Sequence, residues 1–171
     1  MSAFIRILVD GYNLLHAWPD LAPDFPRHSE EARDELTRCL QQFQDEKGIP
    51  VSLIFDGSQS SNSQGNQSKS GKKPSKRTKK NPQDLLMDVE VIYSPPGMSA
   101  DNAIERVAYR LKDYGRVLVI TNDTLERNTV TAFGATTMSC QSFIQEWHTS
   151  STSLNQKISH YNRKENRHFR R

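Results

Sequence analysis

Short runs of β-branched and other apolar residues end in acidic loops at widely separated points of this 171-residue chain, with helix-spaced segments between them. Ile-Leu-Val runs into Asp10, Leu-Ile-Phe into Asp56, and Val-Leu-Val-Ile-Thr-Asn into Asp123. Strands that alternate with helices build a mostly parallel sheet covered on both faces. In such a sheet the carboxyl ends of the strands share one edge, and ligands bind outside it. The alternation therefore predicts an α/β fold and also predicts where its function lies.

The individual elements follow from local chemistry. Phe4–Val9, Val51–Phe55, Val89–Tyr93, Val117–Ile120 and Ala135–Met138 read as five strands. After strand one, Asp-Gly-Tyr-Asn reads as a loop. Ser29 followed by Glu30 and Glu31 reads as a helix start. Ala32, Leu36, Cys39, Leu40 and Phe43 then recur at helical spacing, and Gly48 closes that helix. Ser99 caps a second helix, with Ala103, Ile104, Val107, Ala108 and Leu111 on its apolar face. A short helix near 125–132 and a last one at 140–148 complete the pattern. The domain is expected to span residues 1–148, interrupted at 58–83 by a flexible insertion and followed by a basic tail at 149–171.

Charge is distributed unevenly. The net formal charge is +3, yet residues 58–83 carry +7 with no acid and residues 149–171 carry +5, leaving −9 on the rest. An acidic body with two basic arms needs the arms to attract a polyanion. No apolar run reaches the roughly 18 residues of a membrane span. Two isolated cysteines, Cys39 and Cys140, and a strand that begins close to the N-terminus predict a reduced, cytoplasmic protein.

The candidate chemistry lies in four aspartates. Asp10 and Asp56 each follow a strand and precede glycine. Asp-Gly is also a turn signal, but parallel strands do not end in tight hairpins. Asp101 sits two residues after Ser99, where it could serve the helix dipole, and Glu105 shares its helix face. Asp123, like Asn122, could cap the following helix. If the four converge, the cluster is a hard-cation site for Mg²⁺ or Mn²⁺. Asn13, Asn122 and Glu105 are supporting candidates beside it. The five histidines are scattered, which argues against zinc. The absence of GxGxxG and GxxxxGK[ST] argues against dinucleotides and P-loop nucleotides. A phosphatase would need a strand-end Asp-x-Asp or a cysteine closely followed by arginine, and neither occurs.

Taken in order, Ile-Leu-Val-Asp-Gly-Tyr-Asn-Leu-Leu, Ala32-Arg33-Asp34, Leu-Ile-Phe-Asp-Gly, Ser-Ala-Asp-Asn-Ala-Ile-Glu and Val-Ile-Thr-Asn-Asp resemble the NYN domain, more narrowly the bacterial YacP-like branch of the PIN-like nucleases. The resemblance spans about residues 4–148. It implies a PIN-like three-layer α/β/α sandwich and metal-dependent endoribonuclease activity, with a water activated by Mg²⁺ or Mn²⁺ as nucleophile. It places metal and catalysis on Asp10, Asp56, Asp101 and Asp123, with Asn13 nearby. Family members often have Ser-Asp where this chain has Asn122-Asp123. Arg33 is a candidate phosphate contact, or alternatively an ion-pair partner of a nearby acid. Lys72, Lys73, Lys76 and Arg77 of the insertion are expected to clamp RNA beside Asp56. His160, Tyr161, Phe169 and the cations around them could stack and hold a single strand. The expected partner is RNA, free or on the ribosome, with no membrane and no nucleotide cofactor. The alternative is a non-catalytic RNA- or ribosome-binding protein that retains the fold.

Overall fold

A computed structural model describes residues 4–57 and 88–152. Lys72, Lys73, Lys76 and Arg77, the rest of the 58–83 insertion and nearly all of the basic tail lie outside the described residues.

The element order is β1 (Phe4–Asp10), α1 (Gly11–Ala17), α2 (Glu30–Lys47), β2 (Val51–Phe55), β3 (Glu90–Tyr93), α3 (Ala100–Leu111), β4 (Arg116–Ile120), α4 (Thr124–Ala132), β5 (Thr136–Met138) and α5 (140–152). All four strand pairings are parallel, in the order β3-β2-β1-β4-β5. Val9 pairs with Leu53 on one side and Ile120 on the other, which makes β1 the central strand.

Side chains alternate across the sheet, as a period of two requires. Ile7, Val9, Leu53, Phe55, Leu118 and Ile120 face one layer, where Leu36, Leu40 and Phe43 of α2 and Phe143 of α5 complete the core. Leu8, Ile54, Val117 and Val119 face the other, against Ile104 and Ala108 of α3 and Val130 of α4. The result is the three-layer PIN-like α/β/α sandwich that the motifs imply. Among the described residues no helix is long and apolar enough to cross a membrane. Cys39 and Cys140 are both free and buried.

Helix starts follow the capping chemistry of the sequence. Ser29 Oγ accepts from Ala32 N at 3.1 Å, and Ser99 Oγ accepts from Asn102 N at 3.2 Å. One expectation is corrected. The Asp-Gly-Tyr-Asn stretch is not a loop, because Gly11 already begins α1, with Asp10 as its N-cap. A seven-residue helix has little intrinsic stability. It is held by that cap and by Leu14 and Leu15, which are buried against the sheet.

Neither Gly11 nor Gly57 has a positive φ, so neither Asp-Gly pair is a turn of the kind that needs glycine for its backbone angles. Both glycines permit close approach. A Cβ on Gly11 would collide with the Phe55 ring, and one on Gly57 with the Ser94 carbonyl oxygen.

The chain lays β1, β2 and β3 outward in one direction, then returns across the sheet through α3 to place β4 on the other side of β1. The order therefore reverses between β1 and β4. Such a switch point opens a crevice at the carboxyl ends of the strands. Asp10 ends one of the two strands that flank it, and Thr121-Asn122-Asp123 follows the other.

Candidate functional site

At this crevice Asp10, Asp101 and Glu126 converge, each offering a carboxylate oxygen, all within 4.8 Å of one another. They come from the end of β1, the first turn of α3 and the first turn of α4.

Asp10 is only 4% exposed. Its Oδ1 accepts from the backbone N of Asn13 at 3.1 Å and its Oδ2 from Asn13 Nδ2 at 3.0 Å. The Asp101 carboxyl lies within hydrogen-bonding reach of Asp10 as well. Burial pushes the Asp10 carboxyl up to about 6; the Asn13 hydrogen bonds oppose that rise and the charge of Asp101 adds to it. Asp101 is also raised, first by burial and then by the charge of Asp123.

Glu126 is 2% exposed, and neither of its carboxylate oxygens has a hydrogen-bond partner. Burial raises it to about 8; the nearby Thr121 hydroxyl pulls down, and Asp10, Asp101 and Asp123 push up by charge. Thr121 Oγ1 accepts from Asp123 N at 3.1 Å and stands beside the Glu126 carboxylate without a hydrogen bond to it.

That arrangement explains why Glu126 points inward. Asp123 Oδ1 accepts from Leu125 N at 2.8 Å and from Glu126 N at 3.0 Å, so Asp123 is the N-cap of α4. Glu126 occupies the third helical position, where a capping-box glutamate reaches back to the cap's backbone N–H. Here Thr121 takes that N–H and Glu126 is released into the cluster. An acid three residues after a capping aspartate was the sequence signal for it. Attention to strand-end aspartates alone passes over Glu126.

Asparagines brace the site. Asn13 Oδ1 accepts from Asn122 N at 3.3 Å, and Asn122 Oδ1 accepts from Cys140 N at 2.9 Å. The end of β1, the end of β4 and the start of α5 are thereby tied through two neutral amides.

A cavity of about 270 Å³ opens on the cluster, with Asp10, Asp56 and Asp101 on its walls beside Tyr12, His16 and His28. The His16 and His28 rings are 5.2 Å apart, and His28 packs 4.6 Å from Tyr12. Burial, and the positive charge of His28 and Arg27, hold His16 below its usual range. Arg33 donates to the His28 carbonyl at 2.7 Å and to the Tyr12 hydroxyl at 3.4 Å; it supports this wall and forms no ion pair with an acid among the described residues. Glu105 lines a different groove, further along α3.

The donor set fits a hard cation. It is all oxygen, it is buried, and it includes two orphaned carboxylate oxygens. Mg²⁺ at roughly 2.1 Å from its ligands spans at most about 4.2 Å between opposite oxygens, so closure needs only a small side-chain shift. Without a cation, charges about 4 Å apart repel by roughly 4 kcal/mol at an effective dielectric near 20. The raised carboxyl groups reflect burial first and that repulsion second.

A profile of the YacP-like NYN domain matches residues 7–171. The chain belongs to the YacP-like NYN family. The match runs through the basic tail, which the motifs alone did not reach. The Bacillus subtilis YacP protein is 27% identical over 153 residues, covering 89% of this chain and 80% of its own length. The crystal structure of Rae1 (YacP) from Bacillus subtilis superposes with a TM-score of 0.69 at 26% identity, over 93% of this chain and 82% of that one. A tryptophan-to-leucine mutant of that Bacillus subtilis protein superposes with a TM-score of 0.68 at 26% identity, over 92% of this chain and 82% of that one. NYN domains are PIN-like nucleases, so membership supports a nuclease-like, RNA-related role.

Proposed function

We infer that the protein is an endoribonuclease that hydrolyses RNA phosphodiester bonds with Mg²⁺ or Mn²⁺ at the switch-point cluster. The observation that carries this reading is Glu126, whose carboxylate is buried, without a hydrogen-bond partner, and within ligand distance of Asp10 and Asp101. A buried carboxylate left in that state is unfavourable unless a proton or a cation neutralises it.

Asp10, Asp101 and Glu126 would hold the cation. When bound, it supplies Lewis-acid activation of water and charge stabilisation at phosphorus. Asn13 fixes both oxygens of Asp10. Asp123 acts on the site by capping α4 and so placing Glu126. Asp56, on the cavity wall, adds negative charge next to Asp101. Tyr12 and His28, braced from behind by Arg33, line the same cavity, where a phosphate or base can be received. An acidic cleft repels RNA, so the two basic arms, Lys72, Lys73, Lys76 and Arg77 among them, provide remote attraction.

The test is cleavage of a labelled single-stranded RNA with and without Mg²⁺ or Mn²⁺. Wild type cleaves only with the cation, and Asp101→Asn lowers the rate by about 100-fold or more. Full activity in a chelator, or in Asp101→Asn, defeats the reading.

A further inference from the structure

The second large hollow lies outside the acidic cleft. It encloses about 590 Å³ along the outer face of α3, between Met98, Asn102, Arg106, Tyr109 and Arg110, with Phe133 at the far side. Gly97 and Met98 line the groove and run directly into Ser99, Ala100 and Asp101, which line the acidic cavity, so one stretch of chain borders both. From Asn102 to Arg110 the helix rises roughly 12 Å.

The lining combines cations with an accessible ring. Arg106 and Arg110 are exposed, one helical turn apart, and neither forms an ion pair among the described residues. They outnumber Glu105, the carboxylate that shares the groove. Tyr109 is 52% exposed, so its ring is open to a ligand. Phe133 supports it edge-on at 5.3 Å, and Lys112 Nζ lies 3.9 Å from its ring centroid. A groove with surplus positive charge stands out on a body whose net charge, apart from the two arms, is −9.

We propose that this groove seats the single-stranded nucleotides that flank the phosphate held at the acidic cluster, with Tyr109 stacking on a base and Arg106 and Arg110 holding the backbone. This rests on the nuclease reading above. Cations that track a backbone, with an aromatic ring between them, are the means by which single strands are bound without sequence preference. An exposed cation–π contact is weaker than a base–aromatic stack. A base can therefore displace Lys112 from the ring and free its ammonium for a phosphate.

The experiment measures anisotropy of a short fluorescein-labelled single-stranded RNA with the full chain in a chelator, across a salt series. Tyr109→Ala weakens binding roughly 5- to 150-fold and Tyr109→Phe restores it, because the stack needs the ring and not the hydroxyl. The double variant Arg106→Ala/Arg110→Ala lowers the salt slope by about 1.4. Circular dichroism confirms that each variant is folded. Affinity and slope within about twofold of wild type in the folded variants overturn the proposal. Competition by polyglutamate as strong as by RNA also overturns it, and would assign the groove to an acidic protein. Because binding is read without cleavage, the two readings fail separately. Cation-dependent cleavage with unaltered variant binding removes the groove alone. Variant binding that falls as expected, in a wild type that never cleaves, keeps the groove as a nucleic-acid seat and removes the nuclease.

Discussion

Asp10-Gly11 and Asp56-Gly57 look alike in sequence: each is an aspartate at the end of an apolar parallel strand, followed by glycine. The structure gives them different work. Asp10 ends the central strand at the switch point, is almost fully buried, caps α1 and belongs to the tight carboxylate cluster. Asp56 ends the neighbouring strand, is half-buried, and stands on the cavity wall outside that cluster. At the switch point the strand-end carboxylate joins the tight cluster. One strand away, the same dipeptide shapes the field around the site.

The largest expected difference is catalytic. Asp10→Asn or Glu126→Gln should lower cation-dependent RNA cleavage by about 1,000-fold, because each removes a charge from the cluster. Asp56→Asn should cost at most roughly fivefold, since a single charge acting through water is worth no more than about 1 kcal/mol. Equal losses at Asp10 and Asp56, measured as kcat/KM on one RNA, would break the distinction.

The glycines give a smaller contrast, in stability. Gly11→Ala drives a methyl into the fully buried Phe55 ring and should cost about 1–3 kcal/mol in denaturant unfolding. Gly57→Ala drives a methyl into the Ser94 backbone carbonyl and disturbs the 3.0 Å bond from Gly57 N to Ser94 Oγ, for about 1–3 kcal/mol as well.

pH dependence supplies a further test, because burial raises the Asp10 carboxyl. Asp10 is raised from 3.8 to about 6 and Glu126 from 4.5 to about 8, so the folded state binds more protons than the unfolded state between those values. Stability in a chelator should therefore be highest in acid and fall as pH rises from about 4 to about 8. Glu126→Gln should flatten the upper part of that fall, between about 6 and 8. Adding Mg²⁺ at the upper end should raise the Tm of wild type but not of this variant. A flat wild-type profile in thermal melts would contradict the burial of these acids.

The sheet was legible because β-branched runs and helix caps are local signals. Ser29 and Ser99 cap as their sequence contexts predict, and the strand bounds agree to within about a residue. Helix α1 was not legible, because glycine, tyrosine and asparagine favour a loop and only burial of Leu14 and Leu15 decides otherwise. At the site, Asp10 and Asp101 could be picked out by placement after a strand and at a helix start. Glu126 has capping-box spacing after Asp123, but that spacing alone aims it back at the cap and not into the cluster. Its inward direction depends on Thr121 taking the backbone N–H of Asp123, a contact made at the turn between β4 and α4.

The asparagine relay has a consequence for watching this protein. The amide protons of Asn122 and Cys140 are held by side-chain carbonyl oxygens supplied from Asn13 and Asn122, 109 and 18 positions away in sequence. Neither bond belongs to a helix or a strand ladder. These two amides are therefore built-in reporters. Their rate of exchange with heavy water registers whether the three segments around the crevice are assembled, separately from whether the sheet beneath them is intact.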